Sequence, residues 1–239
     1  MWQTYLTVAI VAYLLGSIPF GYILVKLFLK QDIRTTGSGN IGATNVARSG
    51  KKGLAIATLL LDAGKGYFAV WLAVHYFTAF GPFSTSGSEI REAAESIFPV
   101  RGCAAFMSVI GHVFPIWLGA KGGKGVATAV GAFLVLAPRG VAVAFLAFVV
   151  VFLLSRIVSL SSILAAVAFS LAILDWRVFY PRAESMFVWK YAAFLWATCG
   201  VVIAKHHSNI RRLLNGTEPK FGATKSVVPT DPIQVEKNA

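Results

Sequence analysis

Three stretches of this chain carry residue types suited to holding phosphate, and their polar character sets them apart from the apolar runs between them. The first is Gly37-Ser38-Gly39-Asn40-Ile41-Gly42-Ala43-Thr44-Asn45-Val46-Ala47-Arg48-Ser49-Gly50-Lys51-Lys52. Its glycines let the backbone turn sharply and bring amide N–H groups close to a ligand. Ser38, Asn40, Thr44 and Asn45 add hydroxyl and amide donors, and Arg48 adds a guanidinium able to grip phosphate oxygens through parallel hydrogen bonds. As a core-building segment it reads poorly, with almost no apolar side chain to bury. The second stretch is Gly119-Ala120-Lys121-Gly122-Gly123-Lys124-Gly125, which opens an apolar segment. Glycine N–H groups and the lysines Lys121 and Lys124 at a helix start form an anion site. The third, His206 to Lys220, leaves the last apolar run with His206, His207, Asn209, Arg211, Arg212 and Glu218.

Each stretch has other readings. Gly37-x-Gly39-x-x-Gly42 formally matches a dinucleotide fingerprint, and Asp62 stands near the right distance for the ribose contact. That fingerprint needs a strand before it and a βαβ unit around it, whereas Asp62 lies in an apolar run. The second stretch resembles a P-loop only loosely, because Gly125 stands where a Ser or Thr should bind magnesium. An interfacial amphipathic helix accounts for Arg211, Arg212 and Lys220 in the third, but has no use for His206, Asn209 or Glu218. Two adjacent histidines without a third ligand at sensible spacing give no reason to expect a metal.

Two further charges, Asp62 and Lys65, fall inside the second apolar run at i,i+3 spacing. They read either as a structural ion pair or as residues facing a polar cavity. His112, in Gly111-His112-Val113-Phe114-Pro115, reads as a buried hydrogen-bonded residue.

The elements that must position these residues are membrane helices. With 56% hydrophobic and 13% charged residues over 239 positions, and a mean hydropathy of +0.69, the chain is too apolar for a soluble domain. A net charge of +12 then points to cytoplasmic loops, anionic headgroups and anionic substrates rather than to nucleic acid. Cys103 and Cys199 lie in apolar runs and read as packing residues.

About seven spans are expected: 6–29, interrupted at Gly16, Pro19 and Gly21; 54–80; 97–118; 126–137, short unless it starts at Gly123; 138–155; 157–174; and 187–204. The first reads as an uncleaved span. The segment 81–96, with Glu89, Glu92 and Glu95, reads as an external loop, 175–185 as another, and 223–239 as a flexible tail. Positive charge settles the orientation. Lys26, Lys30, Arg34, Arg48, Lys51, Lys52, Lys121, Lys124, Arg156, Lys205, Arg211, Arg212, Lys220, Lys225 and Lys237 fall on one side, against Arg91, Arg101, Arg139, Arg177, Arg182 and Lys190 on the other. This all-α, polytopic arrangement places the N-terminus outside, the C-terminus in the cytoplasm, and all three polar stretches on the cytoplasmic side.

Taken together, Gly37 to Arg48, Gly111 to Thr128 and His206 to Gly222 resemble the bacterial acyl-phosphate:glycerol-3-phosphate acyltransferase family, over the chain from about Tyr13 to Gly222. The resemblance implies a single transmembrane acyltransferase domain over 1–222, in the cytoplasmic (inner) membrane of a bacterium. It implies transfer of a fatty acyl group from acyl-phosphate to the sn-1 hydroxyl of glycerol-3-phosphate, giving lysophosphatidate and phosphate. It makes Ser38, Arg48, His206 and Asn209 catalytic, and gives Gly122 and Gly123 the shaping of the acyl-phosphate site, with Glu218 holding the third stretch in place. Asn40, Thr44, Asn45, Lys121, Lys124 and Arg212 are the accompanying phosphate-binding candidates, and Asp62 and Lys65 are structural support. The chain departs from the family at His207 and Ser208, where Arg and Glu are expected.

The residues suit that chemistry independently. An acyl-phosphate is already activated, so the protein must hold two phosphates together, align a hydroxyl on the acyl carbon and stabilise developing negative charge. Neither cofactor nor metal is required, and membrane lipids are the only other partners expected, with no obligate protein partner. The competing reading is a transporter or exchanger of a phosphorylated solute, which should show paired broken helices and charges at mid-membrane.

Overall fold

A computed structural model describes residues 2–80, 87–174 and 185–222, with the side chains of 76–80, 87–98, 185–188 and 190 excepted. The tail 223–239, residues 81–86 of the expected acidic loop and residues 175–184 lie outside the described residues. All elements described are helical: α1 (Trp2–Ser17), α2 (Phe20–Leu29), α3 (Ala43–Arg48), α4 (Lys52–Phe80), α5 (Gly87–Val113), α6 (Val126–Leu136), α7 (Pro138–Ser155), α8 (Val158–Ala172), α9 (Ser185–Ala204) and α10 (His207–Leu214), with 3-10 turns at Ile33–Thr35 and Ile116–Leu118.

The first apolar run breaks where Pro19 removes a backbone donor, so α1 stops at Ser17 and α2 restarts at Phe20. Lys30 (φ 57°) then ends α2 in the left-handed region. Residues 87–96, expected as loop, belong instead to α5. The glutamates there recur every third residue, a spacing that a helix tolerates as well as a loop does. The segment from Val126, read as short unless its helix starts at Gly123, stays short. Gly125 takes φ 83° as its cap, so the helix holds only 11 residues and spans about 16 Å.

The centre of the bundle is α5, which packs against α1, α4, α6 and α9. Small residues let these helices touch backbone to backbone. A Cβ at Gly16 would overlap Ser108, and one at Gly111 would overlap Tyr13 and Ser17, so α1 and α5 cross in direct contact. Gly66 against Thr128 and Gly131 against Ala63 do the same for α4 and α6. Stacked Phe133 and Phe169, 4.2 Å between centroids, tie α6 to α8, and Trp196 Nε1 donates to Ser170 O at 3.0 Å to tie α9 to α8.

Large apolar side chains cover the outside, among them Leu6, Leu60, Phe145, Leu146 and Leu154. Only a hydrocarbon surrounding leaves such a surface unpenalised. Among the described residues, four segments are long and apolar enough to cross a membrane, Trp2–Leu29, Lys52–His75, Pro99–Leu118 and Pro138–Ser155, and Val126–Leu136, Val158–Ala172 and Tyr191–Ala204 are shorter apolar helices.

Candidate active site

The first polar stretch shares a small core with its neighbours, and buries Ile41 and Val46, contrary to the expectation that it buries almost nothing. Ile33, Ile41 and Val46 are essentially inaccessible and pack with Val25 and Ala55. Asn45 organises the loop over them. Its Nδ2 donates to the carbonyls of Ile33, Thr36 and Asn40, at 3.1, 3.1 and 2.8 Å, and its Oδ1 accepts from Ser38 N–H at 2.8 Å. A carboxamide so occupied holds backbone in place, and both its hydrogens are already taken. Asn45 therefore shapes the loop instead of donating to phosphate. Asn40 Oδ1 likewise caps Gly42 N–H at 2.8 Å. Ser38 on the loop and Thr44 and Arg48 on α3 are exposed, and the Arg48 stem runs beside Gly37, whose φ of 59° suits glycine.

The second stretch folds back on the end of α5. Gly122 N–H donates to Val113 O (3.2 Å), and Gly123 N–H to His112 O (3.1 Å). These two amides, expected to face an anion, are spent on the fold. What the turn delivers is Lys124, half-buried, whose Nζ donates to Asn209 Oδ1 at 2.6 Å. Lys121 stays exposed.

The third stretch enters through α10. Asn209 is buried on this short helix and passes the contact on, its Nδ2 donating to Glu218 Oε1 at 2.6 Å. Glu218 also accepts from Arg212 Nε (2.7 Å) and from Ser159 Oγ on α8 (2.6 Å). Burial pushes the Glu218 carboxyl up, but the hydrogen bonds from Ser159, Asn209 and Arg212 outweigh it and hold it below its usual value. His206 is 2% exposed, and its Nδ1 lies 2.7 Å from Val202 O. A carbonyl can only accept, so Nδ1 carries the hydrogen and Nε2 keeps a lone pair. Burial, reinforced by the Lys124 charge, lowers the His206 pKa to about 4.

Lys124 feels all three stretches at once. Burial, with Arg212 and Arg48 adding repulsion against the attraction of Glu218, lowers its pKa to about 8. The candidates Arg48, Lys124, His206, Asn209, Arg212 and Glu218 thus share one electrostatic neighbourhood. Asp62 and Lys65 stand apart, paired at 2.8 Å and about 4% and 3% exposed inside the bundle. His207 and Ser208, where the chain departs from the family pattern, are exposed and away from the hydrogen-bonded chain.

Sequence reasoning passed over Ser159. It sits in Ser159-Leu160-Ser161-Ser162, where Ser161 and Ser162 bond carbonyls of their own helix, and nothing in the spacing marks the first serine as different. Among the described residues, no three metal-ligating side chains converge. The site is a basic basin backed by a neutral buried imidazole, an arrangement suited to binding phosphate and accepting a hydrogen bond.

Comparison with known proteins agrees with this chemistry. The family model for glycerol-3-phosphate acyltransferase matches residues 6–216. A glycerol-3-phosphate acyltransferase of Brucella canis is 45% identical over 214 residues, covering 90% of this chain and 92% of its own. One from Brucella ovis is 44% identical over the same length and shares. Among solved structures, PlsY (YgiH), an integral membrane glycerol 3-phosphate acyltransferase in its glycerol 3-phosphate form, is 35% identical with a TM-score of 0.73, covering 91% of this chain and 96% of that one. Its lysophosphatidic acid form is 34% identical with a TM-score of 0.71, covering 91% and 95%.

Proposed function

The chain belongs to the glycerol-3-phosphate acyltransferase family, and we propose that it transfers a fatty acyl group from acyl-phosphate to the sn-1 hydroxyl of glycerol-3-phosphate. Transport of a phosphorylated solute, the other reading of the sequence, gives way with that assignment. The observation that carries the proposal is the chain Lys124–Asn209–Glu218, which joins the second and third polar stretches beside His206 and within reach of the Arg48 charge.

In the proposed reaction the hydroxyl oxygen attacks the acyl carbon. The bond from that carbon to the phosphate oxygen breaks, and phosphate leaves with the electron pair. Lys124, Arg48 and Arg212 stabilise negative charge on the two phosphates and on the tetrahedral oxygen. His206 Nε2, its lone pair fixed by the Nδ1–H bond to Val202, accepts a hydrogen bond from the attacking hydroxyl and aligns it. An imidazole with a pKa of about 4 is a weaker base than a phosphate whose second pKa is about 6. The proton therefore goes to the leaving phosphate, with His206 orienting the hydroxyl that loses it. Ser38, exposed on the first loop, adds a hydroxyl donor for phosphate.

In its proposed setting the domain is embedded in the cytoplasmic membrane of a bacterium through seven spans, with the N-terminus outside and the site facing the cytoplasm. The positive charges on the three polar stretches support that orientation. Purified protein supplied with acyl-phosphate and glycerol-3-phosphate should form lysophosphatidate, and acyl-CoA should not replace the donor. Comparable turnover with acyl-CoA overturns the donor assignment.

A further inference from the structure

We propose that His112 is a positioning residue for this reaction: its imidazole, backed by the buried Asp62–Lys65 pair, is the surface on which Gly123 rests and from which Lys124 is aimed. The inference rests on the acyltransfer reading for its activity measurement, but its geometry is independent of the substrate.

His112 occupies the last turn of α5 and is 4% exposed. On one side its Nδ1 faces Asp62 Oδ1 at 3.5 Å. Asp62 Oδ1 lies 2.8 Å from Lys65 Nζ, and Lys65 Nζ donates to Ile18 O at 2.7 Å, at the break between α1 and α2. Asp62, tied through Lys65 to the first span, thus stands behind the imidazole. On its other side stands Gly123, where an added Cβ would overlap Nε2, with Cε1 and Cδ2 the next nearest atoms.

Gly123 does not need to be glycine for its backbone. Gly119 and Gly125 take left-handed φ values of 58° and 83°, whereas Gly123 is not among the positive-φ residues. The three atoms nearest to a side chain added there all belong to the His112 ring. Gly122 differs, because a Cβ there would meet His112 O, Pro115 Cδ and Val113 O, chiefly main chain. Removing the His112 ring would relieve Gly123 and leave Gly122 as it is. The residue after Gly123 is Lys124, so the height of this backbone sets where the ammonium reaches Asn209. Displacements of about 1 Å at such a point can cost on the order of a hundredfold in rate.

Asparagine is the informative replacement for His112. One of its amide atoms sits near Nδ1 and still faces Asp62, the other sits near Cδ2, and the two ring atoms nearest the added Cβ, Nε2 and Cε1, are deleted. Kinetic constants and melting midpoints should be measured for Gly123→Ala, His112→Asn, the double variant, Gly122→Ala and His112→Asn with Gly122→Ala. Gly123→Ala is expected to raise KM for a phosphate-bearing substrate roughly tenfold or more, with kcat changed less and the melting midpoint lowered. Adding His112→Asn should restore most of both, and should not rescue Gly122→Ala. If Gly123→Ala fails to fold, recovery of folded protein on adding His112→Asn supports the proposal, and failure of both overturns it. Double-variant effects equal to the product of the single ones, or equal rescue of Gly122→Ala, also overturn it. Should the wild type show no acyl transfer, the functional reading falls, and the melting cycle alone still decides the contact.

Discussion

Lys124 Nζ donates to Asn209 Oδ1 at 2.6 Å, joining side chains 85 positions apart in the chain. The bond closes the site across the bundle, from the turn before α6 to the buried face of α10. It also uses one of three ammonium hydrogens and leaves two that an anion could accept.

With a pKa of about 8, Lys124 is charged at neutral pH and loses its charge as pH rises through that value. Phosphate binding should therefore be strong below about pH 8 and weaken above it, seen as a rising KM. Arginine stays protonated throughout this range, so Lys124→Arg should lack the alkaline rise even if its overall activity is reduced. An unchanged alkaline limb in that variant would show that another group titrates.

His206 offers two nitrogens with separate duties, and amide replacements tell them apart. Glutamine reaches the position of Nε2, while asparagine reproduces only Nδ1 and its bond to Val202. His206→Ala should be badly impaired, His206→Gln should regain part of the loss, and His206→Asn should regain less. A side-chain base contributes roughly a hundred- to ten-thousandfold. If glutamine is as inactive as alanine and the acid limb of kcat disappears with both, the imidazole and not the phosphate takes the proton.

For Arg48 the shape of the cation matters as well as its charge. A guanidinium grips phosphate through two parallel hydrogen bonds, where lysine presents a point charge. Arg48→Lys should lose at least about 2 kcal/mol of transition-state stabilisation, a fall in kcat/KM of about thirtyfold. Near-wild-type kcat/KM would mean that Arg48 supplies positive charge and nothing more.

Glu218 accepts from Ser159, Asn209 and Arg212 together. Glu218→Gln turns one acceptor into a donor facing donors, and should cost about 2–3 kcal/mol of stability. Ser159→Ala removes one hydrogen bond and should cost about 1 kcal/mol. Denaturation midpoints of the two variants check the ranking, and a serine variant as damaging as the glutamate one would refute it.

Cysteines placed at Ser49, Ala120 and Ser208 should react with an impermeant thiol reagent from the cytoplasmic side only, and one at Gln3 from the outside. External labelling at Ala120 or Ser208 would separate stretches that the Lys124–Asn209 bond requires to be together, and external labelling at Ser49 would remove Arg48 from the proposed site.

Much of this arrangement was legible in the sequence because long apolar runs announce themselves and polar residues between them have few structural uses. The break at Pro19 follows from its missing donor, and Lys124, His206, Asn209 and Glu218 stood out as polar groups without a core role. What escaped has a common cause in side-chain geometry. Ile33, Ile41 and Val46 form a core without any periodicity, being scattered through a polar loop. Ser159 looks like its neighbours Ser161 and Ser162 until Glu218 arrives from 59 positions away. Gly122 and Gly123 read as amide donors for a ligand, yet their amides close a turn. Why each must be glycine depends on the residue lying opposite, which spacing alone does not give.

The bond from Lys65 to the Ile18 carbonyl also bears on how the chain is made. Asp62 and Lys65 enter the bilayer together on α4, and a charge at mid-helix costs about 2.5–3.5 kcal/mol to insert. Their mutual pairing offsets part of that cost at once. The first span precedes them in synthesis, so the carbonyl exposed at its break is in place when Lys65 arrives, whereas His112 comes later with α5. Removing that first span would strand the lysine without its carbonyl, and the failure would appear at membrane insertion, before any question of catalysis arises.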